Sequence, residues 1–312
     1  MTELKVTSKE SIERLGRVGV IMGGNSAERE VSLKSGRAVL DALQAAGVDA
    51  VGIDAAHDLI AQLQAQSITQ VFNVLHGRGG EDGKLQGLLD FMGIPYTGSR
   101  VLGSALAMDK IRTKYIWLQI GLPTPNFTVL SDKSEWDEVV AKLGKAVVKP
   151  VREGSSIGIS IVESGADMRS AFERARAFDP EVMAEQYING TEFTVAILNG
   201  EAMPVIEFHT PHKFYDYDAK YIANDTQYLC PAPLDAETTA YLQDLSLQAF
   251  NAVGCEGWGR VDIMRDQQGK FWLLEVNTVP GMTDHSLVPM AATAKGLSFT
   301  ELLLHILAAK PL

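Results

Sequence analysis

Short apolar runs that end in glycine turns alternate with amphipathic stretches in the first third of the chain. The run Val18–Met22 ends in a Gly-Gly turn, and the apolar positions up to Gly47 then recur at intervals of three and four residues. A second run at 71–75 ends in a His-Gly-Arg-Gly-Gly turn and leads into helical periodicity that closes at Gly93. Two successive strand-turn-helix units predict a parallel sheet with crossover helices.

Both glycine turns fall at the carboxyl ends of predicted strands. In open parallel sheets ligands bind beyond that edge. Glu28 and His76 belong to these two turns. We therefore expect both side chains at the rim of a ligand pocket.

The middle of the chain predicts a hairpin around a polar loop. A strand at 146–149 stops at Pro150, a glycine and serine loop follows at 152–158, and a β-rich run resumes at Ile159. Backbone N-H groups of such a loop bind phosphate oxygens, and Lys149 adds a point charge beside it. An ordinary flexible hairpin tip is the alternative. Neither G-x-x-x-x-G-K-[ST] nor G-x-G-x-x-G is present, which argues against a P-loop or a dinucleotide fold.

Two alternating runs near the C-terminus, at 259–264 and 271–277, predict a second hairpin. With the turn placed at 267–268, Asp262 is predicted to pair with Glu275 and Arg260 with Asn277, all four on one face. The opposite, apolar face would carry Val261, Ile263, Leu274 and Val276.

Facing carboxylates repel each other, so stability does not explain this polar face. Oxygen ligands at such spacing suit Mg2+ ions that also bind nucleotide phosphates, and Arg260 could stabilise developing negative charge. The alternative is a solvated face with a chance salt bridge. A strand-like run at 183–188 could pair with an adenine edge while Glu185 or Glu192 accepts from ribose hydroxyls.

Composition narrows the class of protein. The 312 residues suggest two or three domains, and 46% hydrophobic with 21% charged residues indicates a globular α/β chain. A net charge of -11 without a basic stripe argues against nucleic acid, and we expect neither a secretory signal nor a membrane span. Cys230 and Cys255 are expected as reduced thiols in a cytosol.

Seven motifs lie between about residue 18 and residue 306, at 26–32, 75–83, 108–110, 152–156, 214–221, 257–262 and 277–292. In their order and spacing they together resemble the D-alanine:D-alanine ligase family of the ATP-grasp superfamily. The resemblance implies a three-domain α/β ATP-grasp fold, α+β in its C-terminal part, with a Rossmann-like N-terminal domain at 1–107, a central subdomain at 108–190 and a C-terminal subdomain at 191–312.

The same resemblance implies a two-step reaction in bacterial peptidoglycan precursor synthesis. ATP phosphorylates the carboxylate of one D-alanine, and the amine of a second D-alanine attacks the acyl phosphate. Two Mg2+ ions, with Mn2+ as an alternative, a cytoplasmic location and a homodimer are also implied.

Residue roles follow from the resemblance, position by position. The first D-alanine and the closure of the site would involve Glu28, His76, Ser155, Tyr215 and Tyr221. The oxyanion site and the second D-alanine would involve Arg260, Gly281, Ser286 and Leu287. ATP would contact Lys110, Lys149, Glu153, Ser155, Ser156, Glu185, Tyr187, Ile188, Glu192, Lys220 and Asn277, and the metal ions Asp262, Glu275 and Asn277.

A lid is implied at 212–225, and Tyr221 within it favours dipeptide over D-lactate products. Val151, Val279 and Asp284 depart from the family pattern, although none replaces an implied ligand. The alternatives are a D-alanine:D-lactate ligase, another ATP-grasp carboxylate-amine ligase, and a catalytically silent nucleotide-binding protein on the same scaffold.

Overall fold

The computed structural model describes residues 6–209, 226–283 and 286–309. Its helices are α1 Lys9–Glu13, α2 Arg29–Ala45, α3 Leu59–Ala65, α4 Lys84–Met92, α5 Val101–Met108, α6 Lys110–Gln119, α7 Trp136–Leu143, α8 Gly165–Ala175, α9 Ala236–Ala252, α10 Leu287–Ala294 and α11 Phe299–Ala308. Its strands are β1 Val18–Met22, β2 Ala50–Asp54, β3 Gln70–Asn73, β4 Phe127–Leu130, β5 Ala146–Pro150, β6 Ser160–Val162, β7 Val182–Gln186, β8 Gly190–Leu198, β9 Glu201–Ala202, β10 Ile206–His209, β11 Gln227–Leu229, β12 Trp258–Asp266 and β13 Phe271–Asn277.

The N-terminal strands form a parallel sheet in the order β2-β1-β3, as the sequence predicts. All five positions of β1 are buried, which explains why it reads as a continuous apolar run. Helix α4 ends where Gly93 adopts a left-handed φ of 68°, a conformation that a residue with a Cβ rarely takes. The glycine turns thus lie at the carboxyl ends of β1 and β3.

The central strands form an antiparallel sheet in the order β4-β7-β5-β6. Strands β5 and β6 pair across the glycine and serine loop, so the predicted hairpin is confirmed. Helices α7 and α8 cover one face through a cluster that includes Val139, Met168 and Phe172. This packing leaves the other face of β5 and β7 available to a ligand.

The C-terminal sheet is antiparallel, with strands in the order β11-β10-β8-β12-β13 and β9 beside β8. Helix α9 packs on one face through Leu242, Leu245 and Phe250. A separate core joins this region to the N-terminal sheet, with the rings of Phe72 and Trp258 6.2 Å apart. The shared core fixes the N-terminal glycine turns against the C-terminal sheet.

The β12-β13 hairpin has the predicted pairs and a different turn. Asp262 pairs with Glu275 and Arg260 with Asn277. The prediction of a turn centred at 267–268 is wrong, because Asp266 N donates to Lys270 O and closes a three-residue loop. In addition, the pairing register shifts by one residue after Asp262. This bulge places Leu273, not Leu274, in the core, while Leu274 faces a cavity with Glu275.

Within the described ranges, no single helix is long and apolar enough to cross a membrane. Helices α10 and α11 pass that test only as a pair bent by 102°. Their buried residues, including Leu287 and Leu303, belong to the core shared with the N-terminal sheet. Cys230 and Cys255 are free thiols, as expected.

Candidate active site

Two cavities meet at the glycine and serine loop. The larger one, of about 350 Å³, lies between the central and C-terminal sheets and is called the long cleft. The smaller one, of about 70 Å³, lies between the N-terminal glycine turns and the segment after β13 and is called the small pocket. Gly154 and Ser155 line both cavities, so a group bound in one lies next to a group bound in the other.

Ion pairs form the floor of the long cleft. Lys110 Nζ lies 3.2 Å from Glu275 Oε2 and donates to Glu153 O at 2.8 Å. Lys149 Nζ donates to Glu185, whose other carboxylate oxygen lies 2.9 Å from Lys114 Nζ. Burial raises the pKa of Glu185, but the charges of Lys114 and Lys149 outweigh it and hold this pKa below its ordinary value.

Asp262 is held by hydrogen bonds from three side chains. It accepts from Arg260 Nε at 2.8 Å, from Asn277 Nδ2 at 2.9 Å and from the buried Thr194 hydroxyl at 2.7 Å. These contacts hold its oxygens beside Glu275 on the neighbouring strand.

The donor set of this strand pair fits Mg2+. Carboxylate and amide oxygens are its preferred protein ligands, and a site with few of them leaves room for phosphate oxygens and water. No group of three or more His, Cys, Asp or Glu side chains suited to a metal occurs in the part of the chain that the structure describes. Because two carboxylates and an amide leave coordination positions of a magnesium ion open, this donor set suits an ion that is shared with a phosphate.

Glu28 lines the small pocket. Its carboxylate accepts a hydrogen bond from the Ser155 hydroxyl, and Ser155 holds a left-handed φ of 50°. A Cβ at Gly154 or at Gly77 would lie 2.9 Å from Glu28 Oε2. The carboxylate is thus held between two glycines from different parts of the chain.

His76 joins the N-terminal turn to the C-terminal segment. Its Nδ1 lies 2.9 Å from Val279 O, and its Nε2 lies 3.2 Å from the buried Ser35 hydroxyl. Glu81 Oε1 lies 3.7 Å from Nδ1. Burial lowers the pKa of His76, but Glu81 and Glu28 together raise it above its ordinary value.

The segment before α10 closes the small pocket. Ser286 is the N-cap residue of α10. Its hydroxyl accepts a hydrogen bond from Thr283 N at 2.9 Å. A Cβ at Gly281 would lie 3.1 Å from that hydroxyl oxygen. Backbone N-H groups at a helix N-terminus attract carboxylates, so this end of the pocket suits an acidic group.

The predicted site residues fall into three groups. The long cleft is lined by Lys110, Lys149, Glu153, Ser155, Ser156, Glu185, Tyr187, Ile188, Glu192, Asp262 and Glu275. The small pocket is lined by Glu28, His76, Ser155, Arg260, Asn277, Gly281, Ser286 and Leu287. The implied lid, with Tyr215, Lys220 and Tyr221, lies outside the described residues, as does Asp284.

Four residues at the site were missed by sequence reasoning. Glu81 contacts His76 and lies with it in the motif at 75–83. This closeness in sequence was the signal that could have identified Glu81 as a site residue. Lys114 follows Lys110 by one helical turn. Gly154 lies in the loop at 152–158 that the sequence assigns to phosphate and not to Glu28, while Thr194 carries no pattern of its own. Their roles depend on contacts between distant strands, which local spacing does not encode.

Comparison with known proteins agrees with this geometry. A family model described as D-ala D-ala ligase C-terminus matches residues 116–308, and one described as D-ala D-ala ligase N-terminus matches residues 57–99. A D-alanine--D-alanine ligase of Pseudomonas putida is 57% identical over 97% of this chain and 96% of its own length. The chain belongs to the D-alanine--D-alanine ligase family.

Other members of the family extend the likeness. A D-alanine--D-alanine ligase of Ectopseudomonas mendocina is 59% identical over 94% of both chains. The crystal structure of the Bacillus anthracis D-alanine--D-alanine ligase complexed with ATP has a TM-score of 0.82 and 34% identity, covering 94% of this chain and 96% of that one. The predicted α/β ATP-grasp fold is confirmed.

Proposed function

We propose that this protein joins two molecules of D-alanine to D-alanyl-D-alanine, with ATP converted to ADP and phosphate, for peptidoglycan precursor synthesis. The proposal is supported above all by the contact between the long cleft and the small pocket at Gly154 and Ser155. A phosphoryl donor in one cavity and a carboxylate acceptor in the other would meet at this loop. The family membership of the chain supports the same reaction.

The first step transfers the γ-phosphoryl group of ATP to the carboxylate of the first D-alanine, and ADP leaves. Glu28 holds the ammonium group of this D-alanine beside His76, and Ser155 orients Glu28 by its hydrogen bond. Lys110 and Lys149 contact the ATP phosphates, while residues 185–192 frame the adenosine. The product, D-alanyl phosphate, has a good leaving group that the carboxylate lacks.

The second step forms the peptide bond. The amine of the second D-alanine attacks the carbonyl carbon of D-alanyl phosphate, phosphate leaves with the electron pair of the broken C-O bond, and the nitrogen releases one proton as the amide forms. Arg260 and the N-H of Gly281 stabilise the oxyanion, and Ser286 with Leu287 binds the second carboxylate. Closure of the lid at 212–225 would keep water from the acyl phosphate. Within it, Lys220 would act near the transferred phosphate, Tyr221 would join Glu28 and Ser155 in closing the site, and Tyr215 would bind substrate.

Asp262, Glu275 and Asn277 would hold two Mg2+ ions, which supply charge neutralisation for the phosphates when bound. Mn2+ is the alternative ion. The proposal also includes a bacterial cytoplasmic location, a homodimer and the three domains at 1–107, 108–190 and 191–312. The division of the strands into three sheets supports three domains.

The test is a direct product assay with purified protein, ATP, Mg2+ and D-alanine, with the dipeptide detected by mass. We expect ADP and D-alanyl-D-alanine in equal amounts, and neither in the absence of D-alanine. The control for the alternative ligase replaces half of the D-alanine by D-lactate. In this mixture, Tyr221→Phe is expected to raise the fraction of product that is the depsipeptide D-alanyl-D-lactate. ADP release without dipeptide would contradict the proposal.

A further inference from the structure

Lys114 is a fully buried lysine below the floor of the long cleft. Its side chain has no exposed surface, and it is absent from the residues that line the cleft. It follows Lys110 by one turn of α6, so the two lysines share a helix face. Burial lowers the pKa of its ammonium group to about 8, because a buried charge is costly unless partners compensate it.

Two contacts hold the ammonium group in place. Lys114 Nζ lies 2.9 Å from Glu185 Oε2 on β7 and donates to the Thr124 hydroxyl at 2.5 Å. Thr124 in turn donates to Leu273 O at 2.9 Å. Leu273 directly precedes the bulge that turns Glu275 into the cleft. Lys114 therefore connects the central sheet to the strand that carries a proposed metal ligand.

The charges explain what this connection does. Glu185 contacts both Lys149 and Lys114, so one carboxylate faces two ammonium groups. While Lys114 matches the charge of Glu185, the positive charge of Lys149 remains available to the cleft. Without Lys114, Glu185 and Lys149 would neutralise each other, and the cleft would lose one positive charge.

We infer that Lys114 is a positioning residue that keeps Lys149 electrostatically available to the ATP phosphates by compensating Glu185 from below. The inference rests on the proposed function, because it assumes that the long cleft binds ATP. Lys114 touches neither substrate nor metal in this arrangement and acts only through Glu185 and Thr124.

The first experiment compares Lys114→Met with the parent. Methionine keeps most of the side-chain length and removes the charge. We expect the Kd of a non-hydrolysable ATP analogue with Mg2+, measured by calorimetry, to rise about tenfold, since the loss of one charge-assisted contact has this magnitude. The KM for ATP should rise in parallel, while the KM for the first D-alanine stays within about twofold. Lys142→Met, at an exposed lysine of α7, is the matched control and should leave both values unchanged.

A double-mutant cycle separates this role from packing. In a Glu185→Gln background the carboxylate is gone, so adding Lys114→Met should change the analogue's Kd by no more than about twofold. The same tenfold loss in both backgrounds would overturn the inference, as would no loss in either. Where Lys114→Met alone fails to fold, Lys114→Gln takes its place in the cycle, because glutamine also lacks the charge but can still donate a hydrogen bond to Glu185. Failure of the proposed function would appear separately, as a parent protein that forms no dipeptide.

Discussion

The long cleft and the small pocket hold their side chains by different means. In the long cleft, the side chains are held by ion pairs, as between Lys110 and Glu275 and between Lys149 and Glu185. In the small pocket, hydroxyls, backbone groups and glycines set the positions, as between Ser155 and Glu28. The contacts of the cleft thus depend mainly on charge, whereas those of the pocket depend mainly on shape.

This difference matches the proposed partners of each cavity. A triphosphate is large and highly charged, so ion pairs that exchange partners suit it. A D-alanine is small, and its orientation within about an ångström decides whether its carboxylate meets the phosphoryl group. The contrast between charge and shape leads to substitutions whose effects should differ between the two cavities.

The largest effect is expected from Glu275→Gln in the long cleft. The exchange is nearly isosteric, so the fold is retained while the proposed metal site loses a charge. We expect kcat/KM for D-alanine-dependent ADP release to fall about 10²- to 10³-fold, the usual cost of losing electrostatic stabilisation at a reacting centre. Raising the Mg2+ concentration should recover part of the loss.

The control is Glu138→Gln, which changes an exposed carboxylate of α7 and should leave turnover unaltered. Thermal unfolding of both variants separates catalysis from stability. Parent-like turnover of Glu275→Gln at limiting Mg2+ would remove Glu275 from the proposed metal ligands.

The next largest effect on activity is expected in the small pocket, from the single methyl group that Gly154→Ala adds. In Gly154→Ala the new Cβ would lie 2.9 Å from Glu28 Oε2, so the carboxylate must move. We expect the KM for the first D-alanine to rise and kcat/KM to fall by about ten- to 10²-fold, because displacement of a positioning group is costly. The Kd of an ATP analogue should change much less.

Gly87→Ala is the matched glycine control, since its Cβ would meet only Val101 Cγ2 at 3.9 Å. It lies inside α4, so the free energy of unfolding should rise by about 0.5–1 kcal/mol while activity is kept. An equal loss of ATP affinity and D-alanine affinity in Gly154→Ala would contradict the division between the cavities.

The sequence predicts the strands and turns that carry this site better than it predicts the contacts between their side chains. Apolar alternation is enough to place β12 opposite β13 and to pair Asp262 with Glu275. It fails at Leu274, because the bulge lies beside hydrogen bonds that join Leu273 to a distant segment: Leu273 N donates to Pro123 O, and the Thr124 hydroxyl donates to Leu273 O. The burial of Lys114 was missed for the same reason, since a lysine is read as exposed until its partner strand is known.

The smallest effect is expected at the end of β2, where Asp54 supports the turn that leads to Glu28. Asp54 Oδ2 accepts from Arg29 Nη2 at 2.6 Å, and its Oδ1 accepts from Gly24 N at 3.2 Å. The Arg29 guanidinium holds the pKa of this carboxyl well below its usual range. Asp54→Asn should therefore lower the free energy of unfolding at pH 7 by about 1 kcal/mol, a modest value because the pair is partly exposed.

The dependence on pH gives this last prediction its sign. A carboxyl whose folded pKa is depressed stabilises the fold above its unfolded pKa of about 4, and this contribution is lost as the pH falls towards the folded pKa. The difference in unfolding free energy between the parent and Asp54→Asn should thus be constant from pH 5 to pH 7 and shrink below about pH 4. Denaturant unfolding at several pH values measures it, and a difference that grows on acidification would rule out the Arg29 pairing as its cause. Because the variant leaves Gly154 and Ser155 in place, its activity should fall less than that of Gly154→Ala.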